Sequence, residues 1–190
     1  MNENITNLVC ISGKIVEEIQ HLFGPYYTTV VSVERGNGKI DMFPIRVEYS
    51  LIKGIEIGTF VSLSGEIHHK RRLIKEWKNI INVFEIHILD KEYYEQRAYL
   101  EGRVALKYTL DWKCDKQCQI LVDAKRKSKG ISDYIEVYGY EKHAELVKNI
   151  NEGDYVRANG KVQSRQFTHR VTGQKYLILD VKLSYIKKLY

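Results

Sequence analysis

Two groups of residues in the second half of the chain combine cations with aromatic rings: Lys125, Arg126, Lys127, Lys129, Tyr134 and Tyr140 form the first, and Arg165, Phe167, Arg170 and Lys175 form the second. Cations along a groove bind phosphates, and flat rings beside them offer surfaces on which bases stack, at about 1 to 3 kcal/mol per base. These residue types therefore indicate a partner that exposes both phosphates and base faces, as a single-stranded nucleic acid does.

A smaller group of the same kind lies in the first half, at Lys70, Arg71, Arg72 and Trp77, and Trp112 lies beyond it. Each cation cluster has an alternative interpretation as a solvated loop. The rings of Tyr134, Tyr140 and Phe167 are alternatively core residues, because tyrosine is often partly buried. Trp77 and Trp112 lie in loop-like contexts, which favours contact over packing.

The net charge of +6 is shared unevenly along the chain. Residues 1–97 carry 12 Lys and Arg against 13 Asp and Glu, a balance of −1, and residues 98–190 carry 18 against 11, a balance of +7. A cationic excess confined to one half favours a polyanionic partner for that half.

Catalytic and metal-binding interpretations fit poorly. His68 and His69 are adjacent on a predicted strand and would point to opposite faces. Cys114 and Cys118 lack the tight CxxC spacing of a zinc site, and with Cys10 they make an odd number, which argues against a disulfide framework. The sequence has no phosphate-cradling glycine motif and no nucleophile elbow. We therefore expect no enzymatic activity, no cofactor and no metal site.

The overall composition is that of a globular chain. The 190 residues include 28% charged residues and only two prolines, without a low-complexity run. No apolar run approaches the roughly 18 residues of a membrane span, and the first residues lack the layout of a signal peptide. We expect a cytoplasmic protein.

Three sequence matches, 89 to 95 residues apart and in order, indicate an internal repeat: 9–16 with 98–105, 58–67 with 153–162, and 84–88 with 179–183. Each repeat is long enough to be a complete small domain. We predict domains at 1–92 and 97–190, joined near 90–97.

Period-two patterns predict five strands in each copy: 8–16, 28–34, 42–47, 60–70 and 80–89 in the first, and 98–105, 119–125, 134–138, 155–167 and 176–186 in the second. A helix of about three turns is predicted at 141–150, and its first-copy counterpart is shortened or lost at Gly54. The fold class is all-β with one short helix, and the best fit is two tandem oligonucleotide/oligosaccharide-binding (OB) folds, each a five-stranded Greek-key barrel.

The second copy resembles the DNA-binding domain of bacterial single-stranded DNA-binding proteins, the SSB family, and the first copy does so more weakly. The matching segments are 100–104, 134–140, 142–145, 152–165 and 172–176. The resemblance implies stacking platforms at Tyr134, Tyr140 and Phe167, and basic contacts that include Lys125, Arg126 and Arg165. It does not extend to the family's glycine-rich tail with an acidic tip, which recruits other replication proteins.

Family members commonly assemble four OB domains, so the resemblance implies a homodimer of this tandem chain. The expected function is single-stranded DNA binding with little sequence preference, in replication, recombination or repair. Two alternatives stay open. One is a single-stranded RNA binder, because stacking and phosphate contacts do not distinguish the sugars, and the other is a primosome-like adaptor that uses the same face for protein partners.

Overall fold

A computed structural model describes residues 6–74, 77–112, 115–126, 131–140, 142–169 and 171–190, with side chains described in these ranges except at 70–74, 109–112, 115–117 and 142. Within these ranges the chain forms eleven strands and two short helices. The strands are β1 (Asn7–Ile15), β2 (Gln20–Phe23), β3 (Tyr26–Glu34), β4 (Ile40–Glu48), β5 (Phe60–Ile74), β6 (Trp77–Ile88), β7 (Glu95–Trp112), β8 (Asp115–Lys125), β9 (Ser132–Tyr140), β10 (Tyr155–Thr168) and β11 (Lys175–Lys188). The helices are α1 (Tyr49–Ile52) and α2 (Lys142–Val147).

Five strands of the first copy close on themselves. β1 pairs with β5 and with β3, and β3 pairs with β4. β4 runs parallel to β6 at the pair Ile45 and Ile81, and β6 pairs back with β5. This cycle of pairings is a five-stranded barrel, which leaves each of its strands with a neighbour on both sides.

The second copy repeats the same cycle. β7 pairs with β8 and β8 with β9, while β9 runs parallel to β11 at the pair Val137 and Val181. β11 pairs with β10, and β10 pairs back with β7. The second barrel therefore has the strand order of the first.

Alternate residues of each strand fill the barrel interiors. On β4 these are Phe43, Ile45 and Val47, and on β9 they are Ile135 and Val137, all of them buried. Each such side chain contributes roughly 1.5 to 3 kcal/mol by leaving water. The intervening residues of the same strands face outward, and this face carries the candidate site.

The second-copy helix is shorter than the sequence pattern predicts, whereas the four-residue α1 of the first copy is shortened as predicted. The second-copy helix ends at Val147, so the prediction of three turns to Ile150 is wrong in length. Beyond it the chain turns, with the amide of Ile150 donating to the carbonyl of Val147 at 3.1 Å. Ala144, Val147 and Ile150 nevertheless face the core as their spacing predicts. No helix in the described ranges is long and apolar enough to cross a membrane.

The chain divides into two compact units that do not follow the repeat at every point. The first-copy unit contains Val9–Gln96 together with Ser164–Leu179, and the second-copy unit contains Arg97–Gln163 and Asp180–Tyr190, with 6–8. We call Ser164–Leu179 the arm. The arm lies within the second copy in sequence but packs in the first-copy unit. The domain boundaries 1–92 and 97–190 remain a prediction.

Two glycines fix the alignment of the last strands. A Cβ at Gly65 would lie 2.6 Å from the carbonyl oxygen of Asn82, and one at Gly160 would lie 2.2 Å from that of Lys182. Only glycine permits such a close approach, so Asn82 and Lys182 hold equivalent places. They are 100 residues apart, whereas the predicted match of 84–88 with 179–183 is spaced by 95. That match is wrong by five residues, because the second copy has the longer hairpin.

Candidate nucleic-acid interface

A row of tyrosines lies on the outer face of β9. Tyr134, Tyr138 and Tyr140 alternate with the core residues of the strand, and Tyr134 and Tyr140 are 49% and 40% exposed. Tyr138 and Tyr140 are two residues apart, about 6.6 Å along the strand, and Tyr134 and Tyr138 are four apart, about 13 Å. These spacings are close to two and four times the 3.4 Å rise of stacked bases. The row can therefore hold flat groups that have been drawn apart from one another.

The centre of this tyrosine row is fixed by its neighbours. The Tyr138 hydroxyl donates to Gln163 Oε1 at 2.6 Å, and its ring meets that of Tyr140 edge to face with centroids 5.5 Å apart. The Gln119 amide donates to Glu136 Oε2 at 3.1 Å. These contacts restrict the side-chain rotamers before any ligand arrives, which lowers the entropy lost on binding.

Cations stand at the margins of the row rather than within it. Lys182 is exposed on the neighbouring strand β11, beside Tyr138. Lys125 is exposed on β8, beside Ser132 at the start of β9. Two carboxylates, Asp123 and Glu136, lie along the same face. The row itself is therefore suited to stacking, and attraction of phosphates falls to its edges.

Arg126 is committed to an internal partner. Its Nε and Nη2 donate to the two carboxylate oxygens of the buried Asp133 at 2.5 and 2.7 Å. A buried carboxylate needs such a pair to offset its desolvation. The contact of Arg126 with nucleic acid remains a prediction, although Asp133 already largely neutralises the charge of Arg126.

The arm carries three of the other predicted residues. Arg165 and Lys175 are exposed, and Phe167 is half-buried. The Lys78 ammonium lies 5.4 Å from the centre of the Phe167 ring and 5.5 Å from that of Tyr176. Phe167 is thus one side of an aromatic, lysine, aromatic cluster.

The remaining predicted residues divide into three sets. Lys127, Lys129 and Arg170 lie outside the described residues. The backbones of Lys70, Arg71 and Arg72 lie in β5 and that of Trp112 ends β7, without described side chains. Trp77 begins β6 and is only 7% exposed, so its ring is packed and not open to solvent. The loop-like contexts predicted for Trp77 and Trp112 are wrong, because both lie at the ends of strands.

Trp77 belongs to a small apolar cluster that covers the outer face of the first barrel. Val30, Trp77 and Ile80 form its centre, and Met42 and the arm residue Leu177 pack against it. Val30 and Met42 lie on the outward side of β3 and β4, where Met42 is the counterpart of Tyr134 in the repeat. The face that is open in the second copy is therefore covered in the first.

Arg46 occupies the place of Tyr138 in the first copy. Its guanidinium lies 5.1 Å from the centre of the Tyr26 ring and donates to Asn82 Oδ1 at 2.8 Å. It also lies 3.4 Å from His68 Nδ1, and His68 Nε2 lies 3.2 Å from Glu66 Oε2. This position serves an internal polar network instead of a stacking surface.

Sequence reasoning missed several aromatic and cationic residues that the fold brings to the surface. Tyr138 and Lys182 belong to the second-copy face, and the period of two that starts at Tyr134 would have found Tyr138. The strand β2 was not predicted, and neither was the aromatic group that its hairpin with β3 forms beside Tyr49 of α1. His21, Phe23 and Tyr49 are exposed in this group, and Tyr26 and Tyr27 are half-buried. Its signal is the turn pair Gly24 and Pro25 between aromatic residues.

The histidines and cysteines do not gather into a metal-ligand cluster in the described part of the chain. No group of three or more potential metal ligands occurs among those residues. Cys118 is buried in the second barrel, and burial raises the pKa of its thiol, which keeps it protonated and a poor ligand. Cys10 is also a free thiol, and Cys114 lies outside the described residues.

Comparison with solved structures finds the same fold in the single-stranded DNA binding protein from Thermus aquaticus. The wild-type protein matches with a TM-score of 0.74 at 12% identity, over 97% of this chain and 93% of that chain. A deletion mutant of it matches with a TM-score of 0.75 at 11% identity, over 97% and 94%. The fold is a tandem OB fold. At this identity the likeness concerns the fold, and it confirms the predicted fold class and, to that extent, the resemblance.

Other comparisons add little to the tandem OB assignment. The N-terminal domain of the PriB protein from Thermoanaerobacter tencongensis is 24% identical over 45% of this chain and 98% of that domain, with a TM-score of 0.39. No protein-family model and no curated protein matches the sequence.

Proposed function

We propose that this tandem OB protein binds single-stranded DNA with little sequence preference, by stacking bases on the tyrosine row of its second copy. The observation that carries the proposal is the row itself: Tyr134, Tyr138 and Tyr140 on one outward strand face of an OB barrel. Aromatic rings accept any base because every base has a flat face, so this surface favours binding over sequence readout.

Charge supports the same assignment. Residues 98–190, which contain the row, carry the +7 balance, and three of their cations lie on the arm. The exposed Lys125 and Lys182 flank the tyrosines. Sequence-independent affinity for nucleic acids rests largely on cations that displace counterions from phosphates. The full-length likeness to a protein described as a single-stranded DNA binding protein adds support from the fold.

The two copies contribute unequally under this proposal. The second copy has an open aromatic face, whereas the first has Met42, Trp77 and Leu177 packed over the corresponding face. The first-copy unit carries the basic arm, whose Arg165 and Lys175 offer further contacts to phosphates. The functional unit is a homodimer with four OB domains, acting without enzymatic activity in the cytoplasm, in replication, recombination or repair.

The test is a titration with poly(dT) followed by tyrosine and tryptophan fluorescence, with oligo(dT) and oligo(U) then competing for the same sites. Tight, salt-dependent binding with preference for DNA is the expected result. Preference for RNA would favour the alternative nucleic-acid function, and absence of binding at low salt would favour an adaptor for protein partners.

A matched pair of variants connects the titration to the proposed surface. Tyr134→Ala removes one platform, and Tyr93→Ala removes a tyrosine of the same exposure, 50%, that lies between β6 and β7. Only the first substitution should weaken binding. Equal losses of affinity from Tyr134→Ala and Tyr93→Ala would contradict the placement of the DNA single strand on β9.

A further inference from the structure

Asp41, the second residue of β4, is a completely buried carboxylate that collects hydrogen bonds from three different parts of the first-copy unit. Arg35 Nε donates to its Oδ2 at 2.6 Å, and Arg35 Nη2 donates to its Oδ1. Gln96 Nε2 donates to Oδ2 at 2.5 Å. A charge without solvent is stable only with such a set of donors.

The arm supplies the third set of donors to Asp41. The Ser164 amide donates to Oδ1 at 2.7 Å, and the Ser164 hydroxyl lies 3.2 Å from the same oxygen. The Met42 amide in turn donates to the Ser164 hydroxyl at 2.8 Å. The arm is therefore tied to β4 at its first residue, by a charge-assisted bond of the stronger kind.

The repeat shows what is added at Asp41. Asp133 is its counterpart on β9, and Arg126 pairs with Asp133 as Arg35 pairs with Asp41. The arginine and aspartate pair is thus common to both copies. The bonds from Ser164 place Asp41 in contact with the arm as well.

The far end of the arm is also docked on the first copy. The Leu179 amide donates to Asn79 Oδ1 at 3.2 Å, and Leu177 is the strand partner of Trp77. Between the two ends, Lys78 lies against Phe167 and Tyr176. The tip of the arm, between its two docked ends, is exposed at Thr168, His169, Val171 and Lys175. The arm is held at its base and presents its tip to solvent.

We propose that Asp41 is a positioning residue for nucleic-acid binding: it fixes the base of the arm so that Arg165 and Lys175 are held where a single strand passes. The inference rests on the proposed function. The contribution of the arm to DNA affinity would then depend on the buried carboxylate of Asp41, which does not itself contact DNA.

The experiment uses the full chain with Trp112→Phe, which leaves Trp77 as the sole tryptophan of the two. Asp41→Asn removes the charge at constant shape. Without DNA, its Trp77 emission should shift to the red, because the arm residue Leu177 no longer covers the ring. Ser164→Ala should give a smaller shift, and Ser62→Ala, which removes a β5 hydroxyl that accepts from the Ser12 hydroxyl at 3.1 Å, should give none.

Binding is measured with an oligo(dT) of about 32 nucleotides, twice the upper site size of about 16 for one OB fold. Asp41→Asn should weaken binding at least about fivefold and lower the log-log salt slope by up to about 1.4, for two contacts of about 0.7 each. Arg165→Ala with Lys175→Ala should lower the slope equally without moving the Trp77 emission. Adding Asp41→Asn to that pair should then cause no further loss, because both act through the arm.

The outcomes separate the inference from the proposed function. The positioning role would be overturned if Asp41→Asn had the same Trp77 emission and the same affinity as the parent. It would also be overturned if the loss of affinity in Asp41→Asn added fully to that in Arg165→Ala with Lys175→Ala. If Asp41→Asn does not fold, Ser164→Ala carries the same comparisons at smaller amplitude. A chain with both tryptophans that fails to bind oligo(dT) would refute the proposed function, while the Trp77 shift in the Trp112→Phe chain would still report whether Asp41 holds the arm.

Discussion

Paired substitutions in the tyrosine row give the account a quantitative prediction. Tyr134 and Tyr140 are six residues apart on β9, which corresponds to about 20 Å along an extended strand. Each ring removed should weaken binding by about 1 to 3 kcal/mol, or roughly 5-fold to 160-fold. Effects at sites more than about 10 Å apart usually add. The double variant Tyr134→Ala with Tyr140→Ala should therefore lose about 2 to 6 kcal/mol.

The pair Tyr138 and Tyr140 should behave differently. Their rings are in contact at 5.5 Å, so removal of one also disturbs the other. Their combined loss should depart from the sum of the single losses by about 0.5 to 1.5 kcal/mol. Tyr138→Phe separates the ring from its hydrogen bond to Gln163, since it keeps the stacking surface and loses only the hydroxyl.

The assay is fluorescence anisotropy of labelled oligo(dT) at fixed salt, repeated at several salt concentrations. The salt slopes of these variants should match the parent, because the lost rings carry no charge. Thermal melting is the control, and the melting temperatures of the Tyr134 and Tyr140 variants should change little because both side chains are largely exposed. Dissociation constants within twofold of the parent for both single variants would refute the stacking assignment.

Three further predictions concern charge and packing. Lys182→Ala should lower the salt slope by about 0.7, whereas Asn82→Ala at the equivalent first-copy position should leave the slope unchanged. Lys125→Ala with Lys127→Ala should flatten the slope, and an unchanged slope and affinity would mean that this cluster is a solvated loop. Arg126→Ala should instead destabilise the fold by about 3 to 5 kcal/mol in denaturant melts, because it leaves the buried Asp133 without its arginine partner. Phe167→Ala should weaken binding by about 1 to 3 kcal/mol at constant slope. Trp77→Ala should cost about 3 to 5 kcal/mol of stability and lower the salt slope, because it removes the ring on which the arm residue Leu177 packs; a loss of affinity at constant slope would make Trp77 a stacking platform instead.

The barrel strands could be predicted because each follows from local alternation. Ile135 and Val137 alternate with Tyr134 and Tyr138, and this period alone separates the core from the outer face. Gly65 and Gly160 marked the repeat, since each must let a neighbouring carbonyl approach. These are properties of single strands and their nearest partners, so the sequence contains them directly.

The position of the arm could not be read from the same patterns. Ser164 meets Asp41, which is 123 residues away, and nothing in the period of β10 indicates that its last residues pack in the first-copy unit. Trp77 was misjudged for a related reason. A tryptophan among cations suggests a surface, but here Val30 and Leu177 bury it from two distant parts of the chain.

The central claim is that a single strand lies across the tyrosine row of the second copy, and photochemical cross-linking tests it most directly. Oligo(dT) containing 5-iodouracil would be irradiated on the full chain, and the attached peptides identified by mass spectrometry. Cross-links at Tyr134, Tyr138 or Tyr140, removed by excess unlabelled oligo(dT), are the predicted result. Cross-links confined to the aromatic residues of the first copy, such as Phe23 or Tyr49, would contradict it.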